Sequence, residues 1–347
     1  VLLALSCTGV PGGNDGGQGG GSGGSGGGSA GGAGGGPGGT GGGGGSGGGS
    51  SVYDIPSGTQ LFAEPFDDAS FAARGWYDGP SGTVSTTDVS PGGGAGAFQC
   101  QFNAAATTCA AGRPARHKLT ATDRVFVRMF VKFSANWVGS GVAYHPHMFH
   151  FTTTADGDYI GPSNSHLTLY IEVVNKNGVL SLQDSLNVDN ACILRNNDTF
   201  VGCAGNFSTY PFAESRSVAS CNGLMGDVDG RDCFDNGGYW YSARTWNTAQ
   251  PWFTDAAGPQ YKGDWHKLEA YFELNSIQAG KGVADGRLRL WLDGQKVVAS
   301  DRVLFRAATH ATMQFNQFLM LPYIGDGSPV AQSFWIDQLQ VGTGLLP

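Results

Sequence analysis

Residues 124–133 read RVFVRMFVKF, the clearest strand pattern in the chain. Its odd-numbered positions are all apolar, whereas its even-numbered positions alternate arginine or lysine with phenylalanine. Successive side chains of a β-strand point to opposite faces, so the stretch predicts a strand with one face in a core and the other basic and aromatic. Residues 166–174, HLTLYIEVV, repeat the scheme, and their outward positions are His166, Thr168, Tyr170 and Glu172.

Other short runs with β-strand character follow along the chain, separated by Gly, Pro, Asn and Asp. The predicted strands are Gln60–Phe66, Arg124–Phe133, His145–Thr152, His166–Val174, Trp265–Leu274, Arg287–Asp293, Met313–Leu321 and Phe334–Val341. Helical turns are indicated only at Asp67–Arg74 and Asn275–Gly280. Many strands with few helical signals predict an all-β sandwich or jelly roll of two antiparallel sheets.

Composition divides the chain into a tail and a folded domain. Of the 59 glycines in 347 residues, 27 fall within residues 11–50, which predicts a disordered Gly/Ser-rich linker over residues 8–52 and a domain over residues 53–347. The net charge of −8 argues against nucleic acid as a partner, because phosphate binding needs clustered cations. No apolar run approaches the roughly 20 residues of a membrane span.

Residues 1–7, VLLALSC, are typical of the end of a secretory signal and resemble the bacterial lipobox, whose cysteine is lipidated. An ordinary signal peptide with an unpaired Cys7 is the alternative. We therefore expect an extracellular or cell-surface protein, a monomer tethered to a bacterial outer membrane through a lipid at Cys7. The membrane is a partner only through that lipid.

The other six cysteines form three close pairs in the sequence. They predict the local disulfides Cys100–Cys109, Cys192–Cys203 and Cys221–Cys233, the simplest of the 15 possible connectivities. Disulfides agree with an oxidising compartment. Two of these pairs lie in an insertion at about residues 175–263, which is rich in aromatic residues.

Four motifs carry a resemblance to a known family. They are LFAEPFDD at residues 61–68 with RGWY at 74–77, GDWHKLE at 263–269, DGRLRLWLDGQKV at 285–297, and FWIDQLQV at 334–341. Over about residues 60–345 the chain resembles the concanavalin A-like jelly-roll polysaccharide lyases that cleave alginate, glucuronan or heparin-type chains, and their non-catalytic lectin-like relatives. The resemblance implies two bent, stacked sheets with a concave ligand groove.

A lyase of this kind removes the C5 proton of a uronic acid and expels the 4-linked sugar. The reaction needs a cation for the carboxylate, a base for the proton and an acid for the leaving oxygen. We expect Arg128 with Lys132 as the neutralising cations, His147 or His145 as the base, and Tyr170 as the acid. The signature motifs of one alginate lyase group have no clear equivalent here, so a non-catalytic carbohydrate-binding or adhesion protein remains the alternative.

Rows of Arg, Tyr, His and Trp on outward strand faces favour contact with an acidic polysaccharide. The expected substrate-binding residues are Arg124, Lys132, His145, His166, Glu172, Lys267 and Tyr271, joined by Tyr239 and Trp246 of the insertion as sugar platforms. For any single strand, a solvated sheet face is an equally good interpretation. The carboxylate spacing of a retaining glycosidase and a serine-hydrolase elbow are both absent from the sequence.

The lyase chemistry requires no cofactor, but two stretches have metal-ligand character. His145 and His147 would share one strand face as zinc ligands, while His150 points the other way unless a bulge intervenes, and the sequence identifies no third ligand. The alternating carboxylates Asp227, Asp229 and Asp232 resemble a calcium loop without its distal Glu, so they indicate either a structural calcium site or a solvated acidic turn.

Overall fold

The structure is a computed structural model. It describes residues 52–141, 146–162, 165–173, 180–186, 194–196, 199–201, 222–224, 234–236, 239–241, 243–248, 251–283, 285–306 and 310–347. The predicted lipobox, the linker up to residue 51 and the disulfides Cys192–Cys203 and Cys221–Cys233 lie outside these residues. No helix within the described ranges is long and apolar enough to cross a membrane.

Short strands make up nearly all of the regular structure. They are β1 (Gln60–Glu64), β2 (Trp76–Tyr77), β3 (Thr83–Ser85), β4 (Ala97–Phe102), β5 (Ala115–Thr122), β6 (Arg124–Phe133), β7 (His147–Thr153), β8 (Leu167–Val173), β9 (Leu180–Leu186), β10 (Leu194–Asn196), β11 (Thr199–Val201), β12 (Asn222–Leu224), β13 (Phe234–Asn236), β14 (Tyr239–Tyr241), β15 (Ala243–Asn247), β16 (His266–Glu273), β17 (Ile277–Gln278), β18 (Lys281–Gly282), β19 (Gly286–Leu292), β20 (Gln295–Val303), β21 (Phe315–Tyr323) and β22 (Gln332–Gly342). One 3₁₀ turn, Phe71–Arg74, is the helical element in the described part of the chain.

Two large antiparallel sheets form the sandwich. The first sheet has the order β20-β19-β16-β6-β22-β4-β3, with β1 also paired to β22. The second sheet has the order β15-β9-β8-β7-β21-β5-β2. Several neighbours in each sheet are distant in sequence, such as β6 with β22 and β7 with β21, as in a jelly roll. The predicted all-β jelly-roll sandwich is confirmed.

The apolar faces of the two sheets meet in one core, as strand alternation predicts. Val125, Val127, Met129 and Val131 of β6 and Leu167, Leu169 and Ile171 of β8 are each at most 1 % exposed. Phe272 of the first sheet and Phe151 of the second contact each other, with ring centroids 6.2 Å apart. Each fully buried side chain of this size contributes about 1.5–3 kcal/mol to folding.

The outer face of the first sheet is covered by the two ends of the domain. Phe126, Tyr271 and Trp291 are completely buried there, packed with Leu346 and against Tyr53, Ile55 and Leu345. The outward aromatic positions of β6, β16 and β19 therefore form a second, smaller core. The predicted sugar-binding role of Tyr271 is not supported, because its ring is completely buried against the chain's own terminal segments.

Some local predictions differ from the structure. Residues 275–280, expected as a helical turn, instead lead into a hairpin of β17 and β18. The two residues of its turn, Ala279 and Gly280, have φ of 48° and 72°, the left-handed values that a two-residue hairpin turn requires. The strands β4, β5 and β20 were not predicted, since their apolar residues are interrupted by Cys, His, Lys and Ser.

The predicted disulfide Cys100–Cys109 is present, with its Cα atoms 5.1 Å apart. It ties the buried Cys100 of β4 to the loop that follows this strand. Replacing both cysteines by Ala is expected to lower the free energy of unfolding by about 2.5 kcal/mol, since loop-closure entropy for a loop of this length has that size. Urea unfolding under non-reducing conditions measures the loss, and an unchanged midpoint would contradict the expectation.

Candidate functional site

The outer face of the second sheet carries a row of polar side chains at one level. Backbone pairing places Arg116 of β5 opposite Leu319 of β21, Leu319 opposite His150 of β7, and His150 opposite Tyr170 of β8. Since adjacent strands lie about 4.8 Å apart, a guanidinium, an imidazole and a phenol line up across four strands. The ring centroids of His150 and Tyr170 are 4.8 Å apart.

His147 joins this row because strand pairing is interrupted. Pairing of β7 with β8 begins at Phe149, and both Met148 and Phe149 belong to the core. Because of this irregularity, His147 lies on the same face of the sheet as His150, the residue three positions after it. Their ring centroids are 6.2 Å apart. His147 and Tyr170 lie 5.0 Å apart, also between ring centroids.

Glu172 of β8 holds His147 through a hydrogen bond to its Nδ1 atom. The carboxylate is 4 % exposed and His147 is 19 % exposed, so His147 is the member of this pair that solvent reaches. An imidazole whose Nδ1–H donates to a carboxylate has its tautomer fixed, with the lone pair on its other nitrogen. We call Arg116, His147, His150, Tyr170 and Glu172 the polar row.

Several polar atoms on this face are buried without a hydrogen-bond partner in the described part of the chain. They are Arg116 Nη1, both ring nitrogens of His150, and Thr152 Oγ1. Burying such atoms unpaired costs free energy, so they indicate a place where a polar ligand belongs. Burial, followed by the nearby His147 and Arg116, holds the pKa of His150 well below the ordinary 6.5, so its imidazole is neutral at pH 7.

One end of the row is built by β2, β5 and the loop after β7. Arg116 Nε donates to Asp78 at 2.6 Å, and the Tyr77 hydroxyl hydrogen-bonds to Gln317 Oε1 at 2.8 Å. Burial raises the pKa of Tyr77 to about 12, so this phenol stays protonated. Beside it, the ring of Tyr159 is 69 % exposed, a flat apolar surface at the edge of the row.

The structure separates residues that the sequence grouped together. Tyr170, His147 and Glu172 lie in the second sheet, whereas Arg128 lies in β6 of the first sheet. Its Nε donates to the buried Glu269 at 2.8 Å, and its other nitrogens donate to the carbonyls of Leu346 and Pro347, both at 3.1 Å. Arg128 is therefore not beside Tyr170, and its grouping with the candidate catalytic residues is wrong.

The other predicted binding residues of the first sheet have partners within the protein. Lys132 pairs with Asp88 at 2.6 Å, Lys267 donates to the Tyr53 hydroxyl at 3.2 Å, and Tyr271 donates to Glu273 at 2.8 Å. Arg124 lies opposite Glu273 in the sheet. None of these residues shares a face with Tyr170, because parity along a strand does not reveal which sheet the strand joins.

Two more predicted residues have other surroundings. His166 is buried and its ring lies 4.0 Å from that of His310, between centroids. Trp246 is half-buried and packs against the core between the sheets, and its assignment as a sugar platform stays a prediction. The side chain of Tyr239 and the residues His145, Asp227, Asp229 and Asp232 lie outside the described residues.

Sequence reasoning missed Arg116 and the position of His150. The signal for Arg116 was its place in ARHKL at residues 115–119, where Arg116 and Lys118 alternate with the more apolar Ala115 and Leu119. The placement of His147 on the same face as His150 depends on the irregularity before Phe149, which no local pattern marks. Together with His147 and Glu172, His150 also offers three metal-ligand atoms within 4.8 Å of one another.

Solved structures with a similar chain path include three lyases. An alginate lyase from Chlorella virus has 11 % sequence identity and a TM-score of 0.49, covering 82 % of this chain and 100 % of its own. An alginate lyase from Aplysia kurodai has 12 % identity and a TM-score of 0.47, with 83 % and 100 % covered. An endo-β-1,4-glucuronan lyase from Trichoderma reesei has 16 % identity and a TM-score of 0.40, with 82 % and 96 % covered.

No protein-family model and no curated protein matches the chain. Similar solved structures also include an endo-1,3-β-glucanase from Streptomyces sioyaensis, with 14 % identity and a TM-score of 0.39, and the binding domain of a botulinum neurotoxin, with 8 % identity and a TM-score of 0.34.

Proposed function

We propose that this protein is a polysaccharide lyase that cleaves an acidic, uronate-containing glycan by β-elimination on the outer face of the second sheet. The observation that carries the proposal is the polar row, in which a guanidinium, an imidazole and a phenol lie at one level of neighbouring strands. The second imidazole, that of His147, lies beside the phenol, with ring centroids 5.0 Å apart. These are the three kinds of group that β-elimination beside a carboxylate requires.

Each side chain takes one role in the reaction. Arg116 binds the uronate carboxylate through its unpaired Nη1 and thereby stabilises the negative charge that develops when the C5 proton leaves. His147, oriented by Glu172, accepts that proton. The electron pair forms the C4–C5 double bond, the bond from C4 to the bridging oxygen breaks, and Tyr170 gives its proton to the departing oxygen.

The surroundings favour this chemistry. Arg116, His150 and Tyr170 are each at most 5 % exposed, and electrostatic interactions are stronger where water is excluded. The neutral His150 beside Tyr170 adds no positive charge to the site. Arg116 thus supplies the cation at the point where the carboxylate is expected.

The proposal includes the predicted tether. With a lipid at Cys7 and a Gly-rich tract after it, the domain would act on glycans within about 35 Å of a membrane surface, the root-mean-square span of 40 flexible residues. Such a tether restricts where the domain works and leaves the chemistry of its site unchanged.

The first test is a screen of polysaccharides with the purified protein. Alginate, glucuronan and heparin-type chains are expected to include a substrate whose cleavage produces ultraviolet absorbance from the unsaturated uronate, whereas a neutral glucan gives none. Binding without absorbance would favour the non-catalytic carbohydrate-binding protein. If the protein neither binds nor cleaves any uronate polymer, both the lyase function and the carbohydrate-binding function are contradicted.

On the substrate so found, Arg116→Ala is expected to weaken binding about 10- to 100-fold, because a charge-assisted hydrogen bond contributes about 1.5–3 kcal/mol. Affinity by titration calorimetry and the rate of absorbance increase measure the effect. Arg124→Ala is the matched control, an arginine lost from the other sheet, and should bind normally. Equal loss in both variants would contradict the placement of the site.

A further inference from the structure

We propose that His147, His150 and Glu172 form a binding site for a divalent transition-metal ion of the zinc type. The three residues, which we call the histidine cluster, offer one ligand atom each within 4.8 Å of one another. They come from two adjacent strands of the second sheet, β7 and β8. The inference extends beyond the lyase reaction and does not depend on it.

The donor set indicates the kind of metal. Two histidines and one glutamate, with a fourth position left open, form a common zinc site in enzymes, whereas calcium prefers six to eight oxygen ligands. Ligands about 2.1 Å from a tetrahedral zinc ion lie roughly 3.4 Å apart, so the cluster has to contract by at most ~1.4 Å. Rotation of the partly exposed His147 and of the Glu172 carboxylate provides that movement.

His150 provides the second, independent observation. Its side chain is 1 % exposed, and neither ring nitrogen has a hydrogen-bond partner in the described part of the chain. A buried polar group without a partner is destabilising, and a metal ion would satisfy one of these nitrogens.

The hydrogen bond between His147 and Glu172 does not by itself account for the cluster. A carboxylate that orients an imidazole explains those two residues, but it leaves His150 buried beside them without a partner. A metal ion uses all three. Arg116, the cation that also faces His150, is itself paired with Asp78, which moderates its repulsion of a bound cation.

The site has a consequence for the proposed function, and this part rests on that proposal. Coordination would take up the nitrogen lone pair with which His147 accepts the C5 proton. Zinc is therefore expected to inhibit the lyase reaction, and a chelator is expected to restore it. If activity instead requires zinc, the histidine cluster stands and the role of His147 as base is wrong.

The test is calorimetric titration of the chelator-treated full chain with Zn²⁺ alone, repeated with Co²⁺ while visible absorbance is recorded. We expect one ion per chain and, for Co²⁺, the visible absorption of a tetrahedral site. His150→Gln and Glu172→Gln should each weaken binding by more than about 10-fold, the loss that even changes in ligand-orienting residues cause. Two variants are used so that one remains informative if the other fails to fold by circular dichroism.

His310→Gln is the matched control. His310 forms another close histidine pair with His166, outside the histidine cluster. Its replacement should leave the affinity for Zn²⁺ unchanged. Absence of Zn²⁺ binding, equal affinity in all variants, or loss in His310→Gln alone would overturn the inference. Zinc binding by a protein that cleaves no uronate polymer would leave the inference intact and overturn only the proposed lyase.

Discussion

Tyr170→Phe is expected to lower the turnover of the uronate substrate by about 10²- to 10⁴-fold, the range that a general acid or base contributes. The substitution keeps the ring, which lies beside the imidazoles of His147 and His150, and removes only the hydroxyl that protonates the leaving oxygen. Substrate affinity should change little. The measurements are the rate of ultraviolet absorbance increase and a calorimetric titration with the polysaccharide.

Tyr271→Phe is the matched control for this prediction. Tyr271 is also buried, but it lies in the first sheet and donates its hydroxyl to Glu273 at 2.8 Å. Its loss should cost about 1 kcal/mol of stability and leave turnover unchanged. If Tyr170→Phe keeps full turnover, the phenol is not the proton donor. If only Tyr271→Phe loses activity, the site lies on the other sheet.

Arg128→Ala is expected to lower the free energy of unfolding by about 3 kcal/mol without affecting the binding of polysaccharide. Arg128 donates to Glu269, whose carboxylate is fully buried, and removing the guanidinium leaves that charge poorly compensated. This loss of stability is at the lower end of the range for breaking a buried ion pair, because Lys267 remains 3.3 Å from Glu269 and Arg128 is itself 19 % exposed. Urea unfolding followed by tryptophan fluorescence measures it.

Two further variants sharpen the stability prediction. Lys132→Ala breaks a pair whose members are both partly exposed, so it should cost no more than about 1 kcal/mol. The double variant Arg128→Leu with Glu269→Leu should recover much of the lost stability, because no charge is then left buried alone. Unchanged stability of Arg128→Ala together with weaker polysaccharide binding would restore Arg128 to the site.

The strands and their inward faces were predictable because the information is local. In β6 and β8 the apolar residues recur at every second position, and these residues form the core between the sheets. The Cys100–Cys109 disulfide was equally predictable, since a short separation in sequence favours pairing. The positive φ angles that turn Ala279 and Gly280 into a hairpin were not predicted, since alanine rarely adopts them.

The candidate site was only partly predictable. His147, Tyr170 and Glu172 were identified, because two of them alternate with the apolar residues of β8. Arg116 was missed, since β5 is irregular in composition. Arg128 was placed beside Tyr170 because both occupy outward positions, yet β6 pairs with β16 and β22 while β8 pairs with β7 and β9.

Short amphipathic strands, and the buried side of β6 and β8, follow from the sequence alone because side-chain alternation is a property of a single strand. Which strands become neighbours depends on the tertiary structure. It also decided which polar face the terminal segments cover and which face gathers Arg116, His147, His150, Tyr170 and Glu172. Those outcomes depend on contacts between residues far apart in the chain, and no local pattern encodes them.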